Sequence, residues 1–288
     1  MNILYIGSSG PLSLIPFKKL LSSEHRIAAV GIYDPIIFDN KIIALENESL
    51  ALAAKQAEIP VIDLSQPVKD IARSCSGFTI DLMLMSCYSK RLPDALIHLA
   101  DKGCYNLHPS LLPAYRGPEP IFWQMKHASE MGVSWHQVVS DFDAGDIAAQ
   151  KKVIFDDGLT HAEISLLLAE TAADLMPELL TQISTSTLQC TKQDVAQLSY
   201  FSYPQPSDFI IDTSSDAQQI YNFMSATQAF GLTYRYRYET SLFYLTEAID
   251  YDNNQTLESP EVQSGRLYIP CNGGVLIAAY TDKMSAQS

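Results

Sequence analysis

With 288 residues, 47% of them hydrophobic and 18% charged, the chain can bury a sizeable core and has neither a disordered nor a fibrous composition. A net charge of −14 argues against a polyanionic partner, because binding nucleic acid relies on Lys and Arg displacing counterions from phosphates. Five scattered cysteines, no basic flank before the short apolar run of Met1 to Gly7 and no run of membrane length together predict reduced thiols, no membrane partner and cytoplasmic residence.

Strands and helices alternate from the start. Asn2 to Ile6 predicts a buried strand, Leu12 to Ser22 a helix, Arg26 to Tyr33 a second strand and Ser49 to Gln56 a second helix. A short strand at Val61, a helix near Val68 to Ser74, a strand from Asp81 to Met85 and a helix from Pro93 to Leu99 continue the pattern. Beyond a short strand at Cys104 to Leu107 come a helix around Ile121 to His127, strands near Val133 to Val139 and Asp146 to Ile154, and a long helix from His161 to Ile183. Apolar strands separated by helices imply a Rossmann-like α/β domain with a mainly parallel sheet covered on both faces. The stretch from Ser184 to Pro206, rich in Ser, Thr and Gln, has no apolar period and reads as a connector. The expected organisation is therefore a catalytic domain at 1–190, a linker at 191–206 and a second domain at 207–288. That last part offers a helix near Asp216 to Gln228 and short strands at Tyr234 to Tyr238, Leu242 to Ile249, Arg266 to Ile269 and Val275 to Tyr280, the pattern of a small β-barrel. Its Tyr234-Arg235-Tyr236-Arg237-Tyr238 alternation could stack on nucleic acid, but it is more simply two faces of a strand.

The chemistry concentrates in Asn106-Leu107-His108-Pro109-Ser110-Leu111-Leu112-Pro113-Ala114-Tyr115-Arg116-Gly117, with Asp143-Ala144-Gly145 downstream. Strand residues two apart share a face, so Asn106 and His108 are expected to address one ligand. Pro109 and Pro113 stiffen the loop, and Gly117 permits a close approach that a side chain would block. Asn106, His108 and Asp143 are the predicted catalytic residues. Each alone has an ordinary structural explanation, such as capping a turn or closing one. Gly7-Ser8-Ser9-Gly10 could cradle a phosphate but lacks the three-glycine spacing of a dinucleotide site, and it reads equally as a tight turn at the sheet edge where ligands of open α/β folds bind. His127, His136, Asp141, Asp143 and Asp146 match no metal-ligand spacing, so no metal site is expected.

The Asn106 to Gly117 run, with Gly132-Val133-Ser134-Trp135-His136 and Asp143-Ala144-Gly145-Asp146-Ile147, resembles the folate-dependent formyltransferases, among them methionyl-tRNA formyltransferase and the sugar N-formyltransferases. Ile3 to Gly7, Ser86 to Pro93 and Asp208 to Asp212 extend the resemblance over nearly the whole chain. It implies an OB-like C-terminal barrel, 10-formyltetrahydrofolate as formyl donor and a primary amine as acceptor. Formyl transfer passes through a tetrahedral intermediate, to whose oxygen Asn106 and a protonated His108 would donate while Asp143 raises the imidazole pKa. By the same resemblance the pterin would lie between Cys87, Tyr88, Ser89, Lys90, Arg91 and Leu92 on one side and Ser140, Asp141, Phe142 and Ala144 on the other. Gly7, Ser8, Ser110, Arg116 and Gly117 would face the acceptor. Charged Lys90 and Arg91 depart from the small and apolar residues usual there.

Two charge features bear on the acceptor. The early loop from Asp34 to Glu48 sets Lys41 against Asp34, Asp39, Glu46 and Glu48, and the chain from Gln205 onward has ten acidic and four basic residues, a net of −6. Both would repel tRNA. A small amine, such as a nucleotide-linked amino sugar, is the expected acceptor, with methionyl-tRNA as the alternative. A formyltetrahydrofolate hydrolase or a non-enzymatic folate-binding protein are the remaining readings, and a homodimer is compatible with all of them.

Overall fold

A computed structural model describes residues 1–33, 49–88 and 90–281, together with the backbone of two short paired strands, Ile37–Phe38 and Lys41–Ile42. Contacts gather the chain into two compact units. The first comprises Met1–Pro118, Met131–Val153 and Ser165–Phe201; the second comprises Glu119–Glu130, Ile154–Ile164 and the chain from Ser202 onward.

The strands of the first unit are β1 (Asn2–Gly7), β2 (Arg26–Ile32), the hairpin β3 and β4 (Ile37–Phe38 and Lys41–Ile42), β5 (Val61–Asp63), β6 (Leu82–Ser86), β7 (Cys104–His108), β8 (Met131–Gln137) and β9 (Ile147–Val153). All but the hairpin join one seven-stranded sheet in the order β5-β2-β1-β6-β7-β8-β9. The first five strands in that order are parallel, while β7 pairs β8 and β8 pairs β9 antiparallel. The mainly parallel α/β sheet expected from the alternation of elements is thus present. Ile3, Leu4, Tyr5 and Ile6 of β1 are at most 1% exposed, which is why a continuous apolar run, with no polar alternate, forms this central strand. Each such side chain removed from water contributes about 1.5–3 kcal/mol.

Helices α1 (Pro11–Leu21), α2 (Leu50–Gln56), α3 (Val68–Cys75) and α4 (Asp94–Ile97) follow strands β1, β2, β5 and β6 in sequence. Ser49, expected inside α2, instead caps it: its hydroxyl accepts from the Leu52 N–H at 3.2 Å. α4 is a single turn ending at Ile97, two residues short of expectation. Beyond α5 (Pro120–Lys126), the long helix α6 (His161–Ser184) matches the apolar period that predicted it. From its first-unit part, the Ala172 carbonyl accepts the indole N–H of the fully buried Trp135 at 3.1 Å.

The second unit is built from α5, α7 (Ala217–Thr227) and an antiparallel sheet of β10 (Tyr234–Tyr238), β11 (Ser241–Asp252), β12 (Glu261–Gln263), β13 (Arg266–Cys271) and β14 (Gly274–Thr281). The strands pair in the linear order β10-β11-β14-β13-β12. The sequence pattern did not announce β12, whose three residues are all exposed. Tyr234 and Tyr236 are buried while Arg237 is exposed, so the Tyr-Arg alternation marks the two faces of β10. Phe122 of α5 lies 5.2–5.4 Å from the rings of Phe209, Phe223 and Phe230. That aromatic cluster draws 119–130 into the second unit, across a division otherwise expected at residue 190. Likewise, residues 191–201 of the expected linker pack within the first unit.

Candidate active site

Three segments at one edge of the first unit's sheet build the site. β6 ends at Ser86, with Cys87, Tyr88 and Lys90 to Leu92 beyond it; β7 carries Asn106 and His108; the turn between β8 and β9 carries residues 138–146. The antiparallel register sets Asn106 opposite His136 and His108 opposite Ser134. Directly opposed side chains of an antiparallel pair point to the same face, so the strand pattern delivers Asn106, His108 and His136 to one place.

His108 is 4% exposed and both its ring nitrogens are engaged. Nε2 donates to the Tyr115 carbonyl at 2.8 Å, since a carbonyl can only accept, and Nδ1 lies 3.5 Å from Asp143 Oδ1. His136 donates from Nδ1 to the Gln137 carbonyl at 2.8 Å, which leaves Nε2 as an acceptor for Asn106 Nδ2 at 3.1 Å. The same Nε2 lies 3.5 Å from Asp143 Oδ1. Asp143 Oδ2 accepts the Gly117 N–H at 2.9 Å, tying the loop after β7 to the turn after β8.

Burial disfavours the charged form of both partners. It pushes His108 below the ordinary histidine range, an effect that Asp143 counteracts only in part. Asp143 does raise this pKa, as expected, but desolvation is the larger influence and the net shift is downward. For Asp143 burial is again the largest influence, but His108, His136 and the Gly117 N–H together overcome it and hold the carboxyl well below the usual carboxylate range.

A cleft of about 410 Å³ opens beside the cluster. Of the residues expected to hold a folate, Tyr88, Lys90, Arg91, Leu92, Ser140, Asp141 and Phe142 line it; Cys87 and Ala144 do not, and Ser89 lies outside the described residues. Asn106, Asp143 and the unexpected His136 line it too, whereas His108 does not. Lys90 bonds the Tyr33 hydroxyl at the rim.

The residues expected at the acceptor are mostly occupied with the fold itself. A Cβ on Gly7 would sit 2.9–3.1 Å from Ser13 Oγ, Leu50 Cδ2 and the Ser86 carbonyl, so this glycine serves packing at the end of β1. Ser8 donates its N–H to Ser13 Oγ at 3.1 Å and accepts from Leu50 at 2.9 Å. Ser110 is fully buried and its hydroxyl donates to the Ala114 carbonyl at 2.7 Å. Gly117 has φ +109°, and a Cβ there would lie 2.0 Å from the Phe201 carbonyl oxygen. The close approach expected at Gly117 is thus made by the chain's own backbone. Arg116 donates to Gln193 Oε1 from Nε at 3.1 Å and from Nη2 at 2.7 Å.

Sequence reasoning missed His136 and Gln193. His136 stood within the Gly132 to His136 motif and on a strand, so pairing with Asn106 was available as a signal; Gln193, in an apparent connector, offered none.

The family model for formyl transferases matches residues 45–180. Methionyl-tRNA formyltransferase of Thermotoga maritima is 32% identical over 171 residues, which cover 59% of this chain and 55% of that protein; that of Carboxydothermus hydrogenoformans is 29% identical over 223 residues, covering 77% and 71%. The chain thus spans little more than half the length of the first of these relatives. Among solved structures, the N-formyltransferase of Helicobacter canadensis, in complex with folinic acid and dTDP-3-aminofucose, shares the fold at a TM-score of 0.72 and 16% identity, over 97% of this chain and 98% of that one. Asn106 and Asp143 at the cleft, and His108 beside them, all lie within residues 45–180, the stretch of this chain that is similar to the formyl transferases.

Proposed function

We propose that the protein moves a formyl group from 10-formyltetrahydrofolate to a primary amine of a small molecule, such as a nucleotide-linked amino sugar. The observation that carries formyl transfer is the Asn106, His136, Asp143 and His108 cluster beside a cleft of about 410 Å³. The donor supplies the formyl carbon. Asn106 gives one amide hydrogen to His136 and keeps the other for the oxygen that turns negative as the amine attacks. The amine must lose a proton and the departing N10 must gain one; Asp143, held ionised, stabilises the positive charge of that transfer, and His108 and His136 are the groups within its reach. Tyr88, Lys90, Arg91 and Leu92, with Ser140 to Asp143, form the walls suited to the pterin, with Lys90 and Arg91 supplying positive charge.

Charge supports the small acceptor. The chain carries −14 overall and −6 from Gln205 onward, a segment whose five antiparallel strands we read as an OB-like barrel. The Helicobacter canadensis neighbour binds an amino sugar nucleotide, which is consistent with this reading. The second reading, methionyl-tRNA as acceptor, is favoured by the 32% identity to tRNA formyltransferases. The test follows tetrahydrofolate release by absorbance with no acceptor, with initiator methionyl-tRNA, and with a panel of nucleotide-linked amino sugars. Turnover with a sugar, lost in His108→Ala, is the expected result. Turnover with tRNA alone overturns the acceptor, turnover in water alone makes the protein a hydrolase, and silence throughout favours a folate-binding protein.

A further inference from the structure

The segment Thr191 to Phe201, expected as a linker, is strapped across the two loops that carry His108's partners. Thr191 pairs with Ile147 through two backbone hydrogen bonds of 2.8 Å, anchoring the strap beside the Asp143 turn. At its other end Ser199 and Phe201 bracket the loop after β7. Ser199 Oγ accepts the Tyr115 N–H at 2.8 Å, the Ser199 carbonyl accepts the Arg116 N–H at 3.0 Å, and Phe201 donates to the Arg116 carbonyl at 3.0 Å. The Phe201 ring stacks on Tyr115 with centroids 5.4 Å apart.

Between these anchors stands Gln193. Its Nε2 donates to the carbonyls of Asp143 at 2.7 Å and Gly145 at 2.6 Å, and its Oε1 accepts both nitrogens of Arg116. One amide therefore joins the His108 loop to the Asp143 turn. No carboxylate or apolar side chain of that length could do so, because the position requires two donated hydrogens and an acceptor at once.

The two residues that hold the His108 ring are themselves in left-handed backbone: Tyr115 at φ +58° and Asp143 at φ +52°. Such conformations are disfavoured for residues with side chains and persist only where the surroundings over-determine them. Here the surroundings are the strap: Ser199 and Phe201 on Tyr115, Gln193 on Asp143.

We infer that the strap is part of the catalytic apparatus and that Gln193 is a positioning residue, fixing the distance and orientation between His108 and Asp143 without touching substrate. The inference rests on the formyl-transfer reading above. The test compares Gln193→Met, which keeps volume and removes every bond, and Gln193→Glu, which keeps length and the Arg116 pairing but turns a carboxylate onto two carbonyl oxygens. Gln197→Met is the control, since that side chain reaches only to Asp194 among the described contacts.

Both Gln193 variants should lose roughly 10- to 100-fold in kcat, as misplacement of a reacting group by about an ångström does, with donor KM within about threefold. The midpoint of the pH dependence of kcat should move, and thermal unfolding should stay close to that of Gln197→Met. If kcat stays within about twofold, or falls only with the folded fraction while the pH midpoint is fixed, the inference is overturned. Should Gln193→Met fail to fold, Ser199→Ala, which removes the acceptor for Tyr115, is read the same way with a smaller loss of about three- to tenfold.

A second measurement separates this inference from the function it rests on. The His108 imidazole titration, followed by NMR, needs no turnover. Were the wild type silent toward every acceptor, the formyl-transfer reading would fail, yet a shifted His108 midpoint in Gln193→Met would still support the strap. An unshifted midpoint would overturn it.

Discussion

Replacing Asp143 by Asn tests the electrostatic core of the site while leaving its backbone alone. Asn is among the few residues that tolerate the left-handed conformation at φ +52°, and its Oδ1 can still accept the Gly117 N–H. What disappears is a charge that is 13% exposed and 3.5 Å from ring nitrogens of both His108 and His136. At that distance and an effective dielectric of about 20, the carboxylate attracts an imidazolium by about 5 kcal/mol. Burial of His108 already outweighs this attraction, so its pKa stands below the ordinary value. Without the carboxylate only the burial remains, and the His108 titration must move lower still. The expected loss in kcat is about 10²- to 10⁴-fold, the range for disabling general acid–base chemistry. Stability carries its own signature. The folded pKa of Asp143 is depressed, so its contribution is fully present above the unfolded carboxylate value of about 4 and is lost as pH falls toward the folded one. Urea unfolding should thus show wild type exceeding Asp143→Asn at pH 7, with the gap closing below about pH 4. An unmoved His108 midpoint, together with kcat within about twofold of wild type, would refute the coupling.

Gly117→Ala places a Cβ 2.0 Å from the Phe201 carbonyl in a backbone of φ +109°, and should destabilise by about 2–4 kcal/mol in chemical unfolding. In His136→Leu, Asn106 loses its acceptor, and kcat should fall about 10- to 100-fold with the fold intact by circular dichroism. Arg91→Glu reverses a charge at the cleft wall, and should raise the donor KM about tenfold while leaving kcat nearly unchanged, since the residue is far in role from the reacting atoms.

Much of the fold was legible because it rests on local patterns. Buried parallel strands need apolar side chains on both faces, and Ile3 to Ile6 or Leu82 to Met85 show that as unbroken runs. Period two along β7 was enough to bring Asn106 and His108 to one face. Charge was equally direct, since −14 is a sum over residues that no folding can change. Element ends were less legible: Ser49 looks helical by composition, and only its hydroxyl bond to Leu52 makes it the cap.

The remainder depended on partners distant along the chain. Phe122 gains its place only when Phe209, Phe223 and Phe230 surround it and draw α5 into the second unit. Gly117 invites a substrate in sequence, but Phe201, 84 positions on, takes the space. The pKa of His108 could not be signed from a nearby acid alone, because desolvation opposes the carboxylate and its size depends on how completely the ring is enclosed. Gln193 is the plainest case. A glutamine in a polar, aperiodic stretch carries no periodicity and no motif, and its two donated bonds to Asp143 and Gly145 exist only once the strap lies across them. The sequence by itself determined the alternation of strands and helices in the first unit, the charge, and the choice of Asn106, His108 and Asp143 as candidate residues, since those follow from side-chain type and spacing. Tertiary structure decided which of them is buried, which faces the cleft and what holds them in register, since those follow from contacts between residues far apart in the chain.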